Sequence, residues 1–189
     1  MASPPTPSQT VGPFFHIGVA DGFIGAELVP RDHPDAIVLF GNVTDGEGVA
    51  VNDAMIEIWQ ANSAGRYAHP EDTRDDVPLT EGFDGFGRTM TDDTGRYELV
   101  TLKPGPVPWS NGESQAPHID MSVFARGLLK RLVTRVYFPD EAEANEADPV
   151  LASVPGADGR ASLVAVEEAG GLRFDINLQG DRETTFFAV

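Results

Sequence analysis

Apolar and β-branched residues come in short runs along this chain, and most runs are closed by a Gly, Pro or Asp turn. Ile37-Val38-Leu39-Phe40-Gly41-Asn42-Val43 predicts a strand that stops at the Asp45-Gly46 turn. Ala54 to Gln60 predicts a second, with Met55, Glu57 and Trp59 on one face and Ile56, Ile58 and Gln60 on the other. Arg96 to Leu102 predicts a third, between the Thr91–Gly95 turn and Pro104-Gly105-Pro106. His118–Ala125, Leu132–Phe138, Leu163–Val166 and Leu172–Leu178 complete the set. About seven short strands at turn-rich spacing predict an all-β fold, a β-sandwich with an extended N-terminal arm and long loops. The one helix candidate is the acidic, Ala-rich stretch from Asp140 to Asp148, which lacks an apolar stripe and predicts a solvated surface turn. Residues 61–90 show no clear periodicity and predict a long connection of functional or interface type. Within it Gly82, Gly85 and Gly87 lack a following Lys-Ser/Thr, so a surface loop is expected there rather than a phosphate cradle.

The chain starts polar and Pro-rich, then closes the segment with Val11-Gly12-Pro13-Phe14-Phe15-His16. Two adjacent Phe on an extended arm need a surface to pack on. The expected division is an arm over residues 1–30, packing on a partner, and a β-sandwich domain over 31–189. The first residues have no basic and apolar leader pattern, and no run approaches about 18 apolar residues. A cytoplasmic protein with no membrane segment is the expectation.

Charge narrows the partners. Acidic residues number 30 against 13 basic ones, a net charge of -17. That balance opposes binding to nucleic acid or anionic membranes, which are polyanions, but leaves room for a local cationic pocket. The chain has no Cys, which excludes disulfides, thiolate zinc, iron–sulfur clusters and a Cys nucleophile.

Nucleophilic hydrolysis finds no support: there is no G-x-S-x-G elbow, and His16, His33, His69 and His118 sit in no triad context. His118 and Asp120, two apart on a strand, point to one face, and Tyr67 and His69 follow the second strand. Phenolate, imidazole and carboxylate together suit a hard cation such as Fe(III). A His-x-Asp pair on a strand is more often a simple hydrogen-bonded pair, so spacing leaves both readings open. Arg126, at a strand end before Gly127, offers a planar fork that matches a carboxylate; an ordinary salt bridge with one of the many acids is the competing reading.

Five segments in order carry a resemblance: Trp59-Gln60-Ala61-Asn62-Ser63-Ala64-Gly65-Arg66-Tyr67, Gly85-Phe86-Gly87-Arg88-Thr89, Thr94-Gly95-Arg96-Tyr97, Lys103-Pro104-Gly105-Pro106-Val107-Pro108-Trp109 and Pro117-His118-Ile119-Asp120. With Thr6 to Phe14 on the arm, Phe124-Ala125-Arg126-Gly127, Thr134 to Phe138 and Arg173 to Ile176, the chain resembles the intradiol ring-cleavage dioxygenases over nearly its whole length. Catalytic chains of that family hold a non-haem Fe(III) with two tyrosinates and two histidines. By that resemblance Tyr67 and His118 match, whereas Val107 stands for the second tyrosine and Asp120 for the second histidine. Gln115 stands where the catalytic chain has an Arg.

The resemblance therefore implies a degenerate site, with no metal ligands and no catalytic residues of its own. It implies the alpha, non-iron chain of an alpha–beta hetero-oligomer, whose Fe(III) sits in a homologous beta subunit. The implied reaction is cleavage of 3,4-dihydroxybenzoate (protocatechuate) by O2 to 3-carboxy-cis,cis-muconate. The implied substrate-binding residues are Arg126 on the core and Thr10, Gly12, Pro13 and Phe14 on the arm. Family members often carry Tyr after the Gly-Pro, and Phe14 lacks that hydroxyl. Two rivals remain: a transthyretin-like or Ig-like binding module with no catalytic partner, and a self-sufficient iron enzyme using Asp120.

Overall fold

The computed structural model describes residues 10–12, 16–20 and 25–188. Eleven strands are described: β1 (Ala36–Thr44), β2 (Met55–Trp59), β3 (Phe86–Met90), β4 (Arg96–Leu102), β5 (Val107–Pro108), β6 (Ser114–Gln115), β7 (His118–Phe124), β8 (Leu132–Tyr137), β9 (Val166–Glu168), β10 (Gly171–Arg173) and β11 (Ile176–Asn177). One sheet centres on β1, which pairs antiparallel with β4 and parallel with β10 and β11; β9 extends it through β10. The other runs β3-β2-β7-β8, all antiparallel.

Alternation along the strands explains why two layers form. In β7, Ile119, Met121 and Val123 are buried while Asp120, Ser122 and Phe124 are half-exposed. They meet Leu39 and Val43 of β1, Ile56 and Ile58 of β2 and Leu99 of β4 in one core, with Tyr97 and Phe138 filling it. Each such side chain contributes about 1.5–3 kcal/mol on burial. Tyr97 carries its hydroxyl into that core and donates it to the Phe174 carbonyl at 2.5 Å, which also explains where its polar end goes.

The expected β-sandwich and most strand positions are observed, and four local expectations need correction. The 61–90 connection is not strandless: Phe86–Met90 forms β3 against β2. Its polar, Gly-rich sequence hides an inner face of Gly87 and Thr89, and Arg88 pairs outward with Glu57. Gly87 is thus a sheet residue facing Ile58, not part of a surface loop. Leu163–Val166 is not one strand: Val164 makes a single parallel bridge to Tyr137 of β8, and β9 starts at Val166. Leu172–Leu178 is two strands, β10 and β11, broken at Phe174-Asp175.

Finally, three short helices replace one: α1 (Ala142–Ala147), α2 (Pro149–Ser153) and α3 (Ala157–Ala161). The Asp148-Pro149 pair is a new helix start rather than an end. Asp148 accepts from the Val150 and Leu151 amides, and Pro149 occupies the first turn. Among the described residues, no helix is long and apolar enough to cross a membrane.

Candidate functional site

Two places carry chemistry. The first is built by the Trp59–Tyr67 segment leaving β2. Gln60, buried, donates to the Leu102 carbonyl at 2.8 Å and accepts from the Thr101 hydroxyl at 2.8 Å, tying this exit to β4. Asn62 folds the turn: its Oδ1 accepts from the Ala64 and Arg66 amides, and its Nδ2 donates to the Pro78 carbonyl. Gly65 is left-handed (φ 78°), and a Cβ there would lie 2.0 Å from the Pro106 carbonyl oxygen. A Cβ on Gly105 would lie 2.5 Å from the Ser63 carbonyl oxygen. Only glycine permits this backbone-to-backbone contact. The two motifs are therefore one joint, and it sets Tyr67 opposite Val107.

That joint opens a cleft of about 640 Å³ lined by Trp59, Tyr67, Val107, Pro108, Gln115 and Arg74, among others. Tyr67 stacks on Trp59, with centroids 5.8 Å apart and planes 15° apart. Burial, then the nearby Asp120 carboxylate, pushes the Tyr67 hydroxyl up to about 12, so it is a neutral phenol at pH 7. Asp72 accepts from the Tyr67 amide at 2.8 Å and pairs with Arg74 at 2.5 Å, which holds its carboxyl well below the usual range. His69 also lines the cleft, edge-on to Trp59, and its Nδ1 accepts from the Glu71 amide.

His118 and Asp120 share a face of β7, as their spacing predicts, with Nε2 and Oδ2 3.9 Å apart. The Asp120 carboxylate is taken by Arg135 of β8, whose Nε donates to Oδ1 at 2.9 Å. Arg135 also donates to Gln115 Oε1 at 2.7 Å. Its neighbour Tyr137 donates to Asp148 at 3.0 Å, and Asp148, fully buried, also accepts from the Ala116 amide. The sequence reading missed Arg135. No sequence signal pointed to it: only the β7–β8 register sets Arg135 opposite Asp120.

These residues do not fit a ferric site. Val107 brings a hydrocarbon where a donor is needed, and Asp120 is committed to a guanidinium. Among the described residues no three His, Asp or Glu side chains gather as a metal-binding group.

The second place is the far end of β7. Arg126 follows Ala125 with its side chain 69% exposed, and its one ion pair among the described residues, to Asp53, is long at 3.5 Å. Gly127 is left-handed (φ 85°) and its amide donates to the Thr10 hydroxyl at 2.8 Å, docking the arm beside Arg126. A cleft of about 410 Å³ opens there, lined by Thr10, Gly12, Ala125, Leu128, Lys130 and Arg131, among others. Lys130 and Arg131 went unremarked in the sequence. Three cations within residues 126–131 are a notable concentration in a chain with 13. Pro13 and Phe14 lie outside the described residues.

A family model described as Dioxygenase matches residues 27–180. The chain belongs to this dioxygenase family. It is similar to the protocatechuate 3,4-dioxygenase alpha chain of Burkholderia cepacia, at 44% identity over 97% of this chain and 97% of that one. It is also similar to the beta chain from the same organism, at 42% identity, covering 87% of this chain and 74% of the relative. Among solved structures, the dioxygenase domain of a carbohydrate-binding fusion from Streptomyces sp. SirexAA-E superposes with a TM-score of 0.57 at 24% identity, covering 94% and 99% of the two chains. That likeness speaks for the sandwich alone. The family assignment disfavours a plain Ig-like module, which would not need the Gly65–Gly105 joint or the Trp59–Tyr67 motif.

Proposed function

We propose that this chain is the alpha subunit of a protocatechuate 3,4-dioxygenase, working beside a homologous beta subunit that holds the Fe(III). The observation that carries this reading is the donor set at the degenerate cleft. A family member with valine at 107 and a carboxylate tied to Arg135 cannot seat the oxidising metal itself. The similarity to both alpha and beta chains of one organism's enzyme supports a paired assembly.

In that assembly this chain's task is to bind and orient. Arg126 presents a guanidinium held by a single long ion pair, so its charge is available to the carboxylate of an aromatic acid. Thr10 pins the arm at Gly127, and Gly12, with nothing of this chain's described residues crowding it, leaves the arm open to a close approach by substrate or partner. By the family resemblance Pro13 and Phe14 also bind substrate, Pro13 with its fixed φ and Phe14 without the hydroxyl that family members often carry there. The division we infer is an arm over residues 1–30 that reaches the partner and a domain over 31–189, with Leu28 of the arm donating its amide to the Val100 carbonyl of β4. Ring cleavage by O2 yields 3-carboxy-cis,cis-muconate at the partner's metal, in a cytoplasmic enzyme.

The test is reconstitution. The chain is produced with and without the candidate beta subunit, and iron content and ring cleavage are measured in each. Activity that needs both chains, with iron following the partner, is the expected result.

A further inference from the structure

The groups around Asp120 share only the Asp120–Arg135 pair with the proposed function, and their arrangement is informative. His118 has its side chain 2% exposed. Its Nδ1 lies 2.7 Å from the Ala116 carbonyl oxygen, which only accepts, so Nδ1 carries the proton. Nε2 is then an unprotonated lone pair, buried and without a hydrogen-bond partner among the described groups. It faces Asp120 Oδ2 at 3.9 Å. Tyr67 lines the same cleft as Gln115, the residue that Arg135 bonds. Electron-pair donors turned toward one another are costly in a low-dielectric site unless positive charge balances them.

The charge that does so is Arg135, 16% exposed, bonded to Asp120 and Gln115. Burial works against its charge, and Asp120, Tyr137 and Asp148 together more than offset that. Burial and then Arg135 hold His118 below its ordinary value, keeping the imidazole neutral.

We propose that the Arg135 guanidinium is the resident cation of this cleft: it balances Asp120 as a metal ion would, and it keeps metal ions out of a latent donor set of Tyr67, His118 and Asp120. A guanidinium keeps its proton at any ordinary pH, so this block is permanent. The donors are otherwise suitable. Zinc bonds of about 2.0–2.2 Å to nitrogen and oxygen let one ion span a 3.9 Å pair at a wide angle. The inference stands on this chain's own geometry and needs no partner subunit.

The experiment is a Zn2+ titration of the full chain, read by metal retained after dialysis and by the shift in Tm. Four proteins are compared: the unaltered chain, Arg135→Met, Arg135→Lys, and Arg135→Met combined with Asp120→Asn. The Arg135→Met chain should bind one Zn2+ at least tenfold more tightly than the unaltered chain and the Arg135→Lys chain, and Zn2+ should raise its Tm. The double variant should lose that binding, because the carboxylate donor is gone. Where Arg135→Met is unfolded without metal, refolding on Zn2+ addition supports the inference and failure to refold overturns it. Zinc affinity in Arg135→Met no better than in the unaltered chain, or unchanged in the double variant, also overturns it. None of these readings uses ring cleavage, so they are separate from the test of the proposed function.

Discussion

The two ends of β7 are built from opposite principles. At its start, His118, Asp120, Gln115, Arg135, Tyr137 and Asp148 form a closed account of charge: the carboxylate has its guanidinium, and fully buried Asp148 accepts from two backbone amides of α2, from the Ala116 amide and from Tyr137. At its end, Arg126 stands 69% exposed with one long ion pair, beside Lys130, Arg131 and a docked arm. The first region pairs its charges internally and leaves only His118 Nε2 of its named groups unbonded; the second presents charge outward. In a protein of net charge -17, that outward cluster is where an anionic ligand finds a welcome. In the proposed reading, the first region keeps its frame without its own metal chemistry, and the corner at the other end of the strand faces the partner's site.

The sharpest way to break this contrast is to cut the frame. Asp148→Ala removes one acceptor shared by four donors, and the unfolding free energy should drop by about 3 kcal/mol or more in urea. A loss under about 1 kcal/mol would mean that the cleft does not depend on its buried acid. Arg126→Ala should behave in the opposite way. Stability should stay within about 0.5 kcal/mol, as for an exposed position, while KM of the assembled enzyme for protocatechuate rises about tenfold at little change in kcat. An unchanged KM would remove Arg126 from the substrate contact.

Acid should also separate the regions. His118 is held below its ordinary value of 6.5, chiefly by burial, so the unfolded chain takes up the proton first. Its contribution is present above about pH 6.5 and is lost as pH falls through the lowered folded value. His118→Asn should flatten this acid limb of the stability curve, whereas Arg126→Ala should leave it in place. The smallest effect belongs to Tyr67→Phe. The hydroxyl is a neutral phenol with no hydrogen bond that the frame needs, so stability should change by under about 1 kcal/mol and ring cleavage by the complex should be unaffected. A strong loss of activity would give Tyr67 a role this account denies it.

Much of this was legible in the residues. Alternation in β1, β2, β4, β7 and β8 announced the sandwich, because one face of each meets the core. β3 escaped notice because its inner face is made by a glycine and a threonine, which carry little hydrophobic signal. The break between β10 and β11 was equally invisible: Phe174 leaves the strand line to receive the Tyr97 hydroxyl, a contact 77 residues away in sequence. At the cleft, Tyr67, Val107, Gln115, His118 and Asp120 could be named from motif order. Arg135 could not, since its role arises only when β8 lies beside β7 in a register that sets it opposite Asp120. Lys130 and Arg131 acquire meaning in the same way, from the arm that docks at Gly127.

The central claim is that the metal of the reaction lies outside this polypeptide. Its most direct test is iron per chain, measured on this protein purified alone and on its complex with the beta subunit, together with oxygen consumption on protocatechuate. The account predicts no stoichiometric iron and no oxygen uptake for the chain alone, and about one iron per alpha–beta pair in an active complex. A ferric ion bound by this chain alone, turning over substrate with no second subunit present, would contradict it.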